Sequence, residues 1–378
     1  MSAPPIIIAG AGLAAMTLAK CLKHNGIPNM LLERASAPSP NNYGMTLQPW
    51  AYRPLLEYLG WDESVFRGKI AIVRSGHYMG GKTSQQSLLP GVETMPGTFR
   101  CHRGRLDYLL RLDLDCRWSH GIRDVETSRE SINIQFNNQD ALQTKILIGA
   151  DGVHSQVRKC LAPNVKVKVL PYVVFHGRRK MEHHHYFQTM ASGMKGQTII
   201  ESHSNGVVLQ IAVNEPTSKH IDLNYSYSRP ARQDDPLHRP DRSAGQAKDI
   251  PEGFYQELEG LGYLGAAFRE IFDPSKVRQD RCLNWLMRSS LVDLEDIQAL
   301  ADRNVVLIGD ATHAMPILRG EGGNTAMKDG VDLARHIVLH GLEGIKTFAE
   351  RKYDLWKEGV EDSERKLSEM HSFAEPIL

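Results

Sequence analysis

The sequence predicts an α/β fold: a parallel sheet, an antiparallel sheet inserted into it, and helices at the C-terminal end. Three stretches far apart in the chain carry that expectation. They are Gly10-Ala11-Gly12-Leu13-Ala14-Ala15, Asp151-Gly152 and Gly309-Asp310, and each follows an apolar run. Such positions are the ends of buried strands, where backbone or a carboxylate can meet a bound ligand.

The first stretch follows Ile6-Ile7-Ile8-Ala9, short and β-branched enough for a buried parallel strand, and opens Leu13 to His24, whose apolar spacing is helical. Strand, glycine turn and helix together make a Rossmann-like dinucleotide-binding unit. Gly10 permits the tight turn, Gly12 lets the backbone approach a pyrophosphate, and the helix N-terminus offers free N–H groups. Ala15 stands at the third glycine position, which requires only close helix–strand packing. Gly26 stops the helix, and Met30-Leu31-Leu32 leads to Glu33, roughly 20 residues past the glycines, where a carboxylate can accept ribose hydroxyls. Arg34 beside it is a further cofactor-facing candidate. Gly260-Leu261-Gly262-Tyr263-Leu264-Gly265 also matches the glycine pattern, but the helical Phe254 to Leu258 precedes it. With no strand feeding it, that match is set aside.

Lys145-Ile146-Leu147-Ile148-Gly149-Ala150-Asp151-Gly152, followed by Ser155 and Arg158, and Asn304-Val305-Val306-Leu307-Ile308-Gly309-Asp310-Ala311-Thr312-His313 complete the set. With the N-terminal fingerprint, they make the chain resemble the flavoprotein monooxygenases of the para-hydroxybenzoate hydroxylase class over nearly its whole length. The resemblance implies a GR2-type FAD-binding domain, with Asp310 on the flavin ribityl chain and Arg103 of Arg103-Gly104-Arg105-Leu106 contacting FAD. Pro316-Ile317-Leu318-Arg319-Gly320-Glu321-Gly322-Gly323-Asn324 resembles the loop beside the isoalloxazine, in its Arg-Gly-Glu-Gly form similar to a fungal branch. Ile317 replaces a second proline common there. Gly320, Gly322, Gly323 and Asn324 thereby join Asp151 as cofactor-binding candidates. Independently of the resemblance, glycines at such a place let main chain lie close to a flat ring.

Composition agrees with an enzyme. A chain of 378 residues, 41% of them hydrophobic, can bury a large core and by size divides into two domains. A formal charge of +1 gives no field for nucleic acid or acidic membrane. Five cysteines without a Cys-x-x-Cys indicate neither a disulfide framework, a zinc site nor a dithiol centre. No basic, apolar leader opens the sequence and no run reaches the roughly 20 apolar residues of a membrane span, so a cytoplasmic location is expected.

The cofactor domain is expected to be discontinuous, from 1–70, 98–165 and 280–345. Residues 71–97 and 166–279 supply a substrate-binding β-sheet domain, and 346–378 a C-terminal helix. Runs at Val165 to Leu170, Tyr172 to Phe175, Gly206 to Val213 and Ile221 to Tyr225 are spaced by turn residues and partly alternate, as in an antiparallel sheet with one wet face. Ser228 to Asp249 is polar and reads as an exposed loop. Ile345 to Met370 is a charged amphipathic helix, expected on the outside.

Some features are discounted. His183-His184-His185, read as strand, would alternate between faces and could not chelate as a set, so no metal is assigned. His154 and Ser155 beside Asp151 are too close in sequence for a triad. The tryptophans include no Trp-x-Trp pair, which argues against a flavin halogenase.

The resemblance implies FAD as cofactor, with NAD(P)H and dioxygen as co-substrates and a C4a-hydroperoxyflavin that hydroxylates an electron-rich aromatic or enolic small molecule of fungal secondary metabolism. The alternative is a protein of the same fold without monooxygenation, such as a cyclase, an oxidase or a flavin-binding module. His176, Arg178, Tyr186, Gln210, Tyr225 and Gln48 are candidates for handling the substrate, and none carries a motif that singles it out. Because the cofactor domain's carboxylates and glycines are used on cofactor, the opposite wall is expected from residues 165–227, with Gln210 and Tyr225 on it.

Overall fold

A computed structural model describes residues 5–72, 95–128, 131–262, 264–319 and 321–372. Its central sheet has five parallel strands in the order Val305–Leu307, Leu147–Gly149, Ile6–Ala9, Asn29–Leu32 and Cys116–Arg117. Parallel strands point the same way, so the chain leaves Ala9, Gly149 and Leu307 on one edge of the sheet. The three glycine and aspartate motifs follow those three residues directly and become spatial neighbours. That edge, beside the central strand, is where an open α/β sheet leaves a crevice.

Helix Leu13–His24 packs on helix Gly322–His340 at very short range. A Cβ on Gly330 would lie 2.7 Å from the Ala14 carbonyl oxygen and 2.8 Å from the Leu18 nitrogen.

The second large sheet is antiparallel, ordered Ile199–Ser204, Val207–Pro216, His220–Pro230, Tyr172–Glu182 and Arg281–Trp285. Strand alternation sends Phe175, Leu209, Ile211, Val213, Leu223, Tyr225 and Tyr227 to one face, where helices Glu252–Glu259 and Ala266–Ile271 bury them in a second apolar core. The other face carries His176, Arg178, Gln210, Asn224 and Ser226 and looks toward the parallel sheet's crevice.

Two details depart from expectation. Of the Val165–Leu170 run only Lys168–Val169 is strand, and it pairs with Arg288–Leu291 in a separate small sheet. Pro171, with no N–H to donate, separates it from Tyr172–Glu182. Arg281–Trp285 pairs with Tyr172–Glu182, so these residues sit with the antiparallel sheet and not with the segment expected from 280. The expected 71–97 segment lies mostly outside the described residues.

Helix Ile345–Ser372 buries Phe348, Trp356, Val360, Leu367 and Met370 along one stripe. It is not merely peripheral, since Met370 reaches the cavity between the sheets and His371 Nε2 meets Ser228 Oγ at 3.0 Å. No helix among the described residues is long and apolar enough to cross a membrane.

Close helix packing at Gly330 makes a testable pair. Gly330→Ala forces backbone apart and should cost about 1–3 kcal/mol in urea unfolding. Gly68→Ala, in the exposed helix Glu63–Ile70 with open space around its Cβ, should instead be neutral or stabilising by up to about 1 kcal/mol.

Candidate functional site

Two cavities meet along the crevice. One, of about 520 Å³, is lined by Gly10, Gly12, Glu33, Arg34, Arg103, Trp118, Asp151 and Gly152. The other, of about 900 Å³, extends from Gly12 past Arg103, Asp310, Gly322 and Gly323 to the polar face of the antiparallel sheet. Gly12, Asn41, Arg103 and Gly152 line both. An elongated ligand could thus run from Glu33 to the sheet without a break.

At the first end, Gly10 adopts φ +98°, and a Cβ there would lie 2.5 Å from the Ala150 carbonyl oxygen. Only glycine combines that angle with that approach. Gly12 is the N-cap of helix Leu13–His24 with no side-chain cap, and nothing lies within 4 Å of where its Cβ would be. An uncapped helix start facing a cavity is suited to an anion. Ala15 is fully buried in helix packing. The Glu33 carboxylate accepts from the Ala11 and Ala35 N–H groups, both at 2.9 Å, which fixes it at the cavity wall.

Asp151 turns one oxygen to the Gln156 N–H at 2.6 Å and the Val157 N–H at 3.3 Å. Its other oxygen is buried with no hydrogen-bond partner among the described residues, and burial raises the pKa of the group. A ligand hydroxyl at the crevice would donate to that oxygen, which fits the sugar or ribityl hydroxyls of a dinucleotide there. Arg103 donates to Asp107 at 2.7 Å and to the Tyr43 hydroxyl at 3.3 Å, holding its guanidinium where the cavities join. Asp310 lies in the turn after Val305–Leu307, lines the larger cavity, and makes no side-chain hydrogen bond among the described residues. Burial raises its pKa too.

Two buried groups position these turns: Arg158, which belongs to the second motif, and Asp329, which the sequence did not single out. Arg158 donates to the carbonyls of Ala311 at 2.7 Å, Asp310 at 3.4 Å and Val153, joining the second motif to the third. Asp329 accepts from the Gly309 N–H at 3.0 Å, His313 Nε2 at 2.6 Å and the Trp356 indole at 2.9 Å. Burial opposes its charge, but His313 and these donors win and lower its pKa.

Across the larger cavity, register aligns Leu283, His176, Ser226, Gln210 and Glu201 in one row over five strands. His176 Nδ1 lies 2.9 Å from Ser226 Oγ, and the ring stacks on Trp285 at 3.9 Å. Gln210 donates to Glu201 at 2.7 Å. Arg178 is paired with Asp222, which also accepts from Asn214 at 3.2 Å. Burial pushes the His176 pKa down to about 4, so its ring is neutral near pH 7.

Other expected residues sit elsewhere. Tyr225 belongs to the opposite face: its ring covers Gly177 and its hydroxyl donates to Asp280 at 2.9 Å. Gln210 pairs with Ser226, not Tyr225, so period-two alternation cannot put Gln210 and Tyr225 on one wall. Tyr186, on helix His183–Thr189, is buried in that second core, where burial raises its pKa to about 12. Asn324 lines neither cavity; its amide accepts from the Gln48 N–H and donates to the Thr46 carbonyl. Gln48 does line the cavity and accepts from the Thr98 hydroxyl. Gly320 lies outside the described residues.

The histidine run is helical, not strand, because Glu182 ends the strand and His183–Thr189 turns away from it. Its members go to separate partners: Thr217 for His183, Gln188 for His184 and Glu270 for His185. Glu201, Ser226, Trp285 and Arg100 were missed as cavity residues. Asn205-Gly206 could have found Glu201, since a two-residue turn with both φ values positive fixes Glu201 opposite Gln210.

A neutral, partly buried His176 sets an expected pH dependence. The unfolded ring binds a proton near pH 6.5 and the folded one resists to about 4, so stability falls as pH drops through that window. In His176→Gln, thermal melts from pH 7 to 4 should show a smaller decline than in the wild type.

Comparisons with known proteins agree with this geometry. The family described as an FAD binding domain matches residues 4–244 and 288–344. The FAD-dependent monooxygenase adaC of Aspergillus niger is 30% identical over 97% of this chain and 94% of its own. The FAD-dependent monooxygenase vrtH of Penicillium aethiopicum is 31% identical over 88% of this chain and 84% of its own. Among solved structures, 2,6-dihydroxypyridine-3-hydroxylase from Arthrobacter nicotinovorans superposes with a TM-score of 0.73 at 18% identity, covering 99% of this chain and 95% of that one, a likeness of fold. Fingerprint, paired aspartate turns and near full-length likeness lead to one conclusion: this chain belongs to the FAD-binding-domain family and is an FAD-dependent monooxygenase of the para-hydroxybenzoate hydroxylase class.

Proposed function

We propose that the protein hydroxylates an electron-rich aromatic or enolic small molecule, using NAD(P)H and dioxygen, in a fungal secondary-metabolic setting like that of its relatives. The observation that carries the reading is the cavity of about 900 Å³ that opens on the cofactor crevice at one end and on a polar sheet face at the other. Bound FAD would supply hydride acceptance and oxygen activation there.

The residues present suit the cofactor. The uncapped N–H groups after Gly12 would take the pyrophosphate, Glu33 a ribose, and Asp310 the ribityl hydroxyls, with Arg103 between them. Gly322 lines the cavity with only Asp310 near the place of its missing Cβ, while Gly323 lets Met45 and Leu13 pack against the helix start. A Cβ on Gly323 would come within 2.8 Å of the Met45 Cε.

The antiparallel sheet's tasks are to bind, orient and exclude water. His176, stacked on Trp285 and neutral near pH 7, presents a flat wall, while Ser226, Gln210 and Glu201 present hydrogen-bonding atoms in a line. Glu201, held by Gln210, could accept a phenolic or enolic proton and so raise the nucleophilicity of the carbon that receives oxygen. Holding that carbon in place decides whether reducing equivalents make product or escape as hydrogen peroxide, and an error of about 1 Å matters.

Two outcomes test the proposal. Purified protein should be yellow, and Asp310→Ala should lose FAD with little change in the apoprotein's melting temperature, because the Asp310 side chain makes no hydrogen bond among the described residues and lines the cavity. Colourless wild-type protein that gains no flavin on incubation would remove the reading. With a substrate found by screening NAD(P)H consumption over phenols and enols, Gln210→Ala should keep its FAD but release several-fold more peroxide per NAD(P)H. Product lacking oxygen from labelled O₂ would exclude hydroxylation.

A further inference from the structure

The larger cavity contains four arginines whose charges are treated differently. Arg103 is paired with Asp107 and Arg178 with Asp222, and Arg281 is exposed to solvent. Arg100 is partly buried, lines the cavity, and has no carboxylate within ion-pair distance among the described residues. Its Nη2 donates to the Gly44 carbonyl at 2.9 Å, its Nη1 reaches Thr46 Oγ1 only at 3.5 Å, and its Nε is buried with no partner. A guanidinium has five N–H donors, so most of this one's capacity is unused.

A partly buried cation with no counter-charge among the described residues calls for an explanation. Here the side chain is also held still. Arg100 lies directly opposite Thr46 in the pair Gly44–Leu47 and Phe99–His102, and a Cβ on Gly44 would sit 2.5 Å from its Nη2. Gly44 leaves the space into which the guanidinium folds, and the Gly44 N–H is fixed by Asn214 at 3.1 Å. Burial lowers the Arg100 pKa to about 10, which leaves it charged at neutral pH. A fixed planar cation with free donors matches two coplanar oxygens sharing one negative charge.

We propose that Arg100 anchors an oxyanion of the substrate, a planar carboxylate or 1,3-dicarbonyl enolate, at the wall formed by Gly44 and Thr46. This rests on the oxygenase reading of the cavity and adds the charge of the substrate to it. Arg100 then sets specificity for anionic over neutral rings, while the row from His176 to Glu201 meets the opposite side.

The test uses FAD-loaded enzyme and a pair of probes of nearly one shape, salicylate and salicylamide, titrated while the flavin absorbance is recorded. Wild type should bind salicylate about tenfold more tightly than salicylamide, the scale of one charge-assisted hydrogen bond. In Arg100→Met the preference should fall to within about twofold while FAD content holds, and Arg100→Lys, which keeps charge but not the planar pair of donors, should lie between. Should Arg100→Met fail to fold, the wild-type preference together with a reduced one in Arg100→Lys still supports the proposal. A wild type indifferent to charge, or an undiminished preference in Arg100→Met or Arg100→Lys, overturns it. Yellow enzyme without the preference refutes only this anchor, whereas protein that never takes up flavin refutes the function on which it rests.

Discussion

The guanidinium of Arg158 holds together the edge on which everything else is built. It is almost fully buried and faces carbonyl oxygens instead of a carboxylate, binding those of Val153, Asp310 and Ala311. A guanidinium carries five N–H donors, so one cation can satisfy several carbonyls at the ends of two strands. The turn bearing Asp151 and the turn bearing Asp310 therefore keep a fixed spacing. Asp329 then ties the second of these turns, through Gly309 and His313, to the long helix and to Trp356 of the last helix. Cofactor-facing atoms thus rest on buried polar contacts whose partners lie far apart in sequence.

Local chemistry explains what could be read in advance. Ile6–Ala9 followed by Gly10 and Gly12, and the two strand-end aspartates, are signatures confined to a few residues, and the parallel sheet brought them to one edge. The antiparallel sheet was legible from alternating runs, but which residues share its wet face depends on register. Tyr225 and Gln210 both looked suited to a wall, yet Ser226 is the residue opposite Gln210. Tyr225 instead covers Gly177, a contact between strands that no local pattern announces. Asn205-Gly206 held the missing information for Glu201, whereas Trp285 and Arg100 arrive from segments whose pairing is nonlocal.

The antiparallel sheet works as a partition. One face closes on Phe254, Phe272 and the neighbouring helices, so the strands are held by apolar burial without help from the cavity side. The other face is free to carry hydrogen-bonding groups that would weaken a core. This separation explains why the substrate-side row can be polar in a sheet that is otherwise well packed, and why Gly177, by admitting the Tyr225 ring, matters to a surface it does not touch.

The uncapped helix start at Gly12 and the Asp151 oxygen couple folding to occupancy of the crevice. Both groups lack a protein partner, and the native state alone offers them to a ligand. Whatever binds there shifts the folding equilibrium by mass action, by about 4 kcal/mol at a free concentration one thousand times Kd. The form without ligand is therefore the one that opens more often and is more exposed to proteolysis.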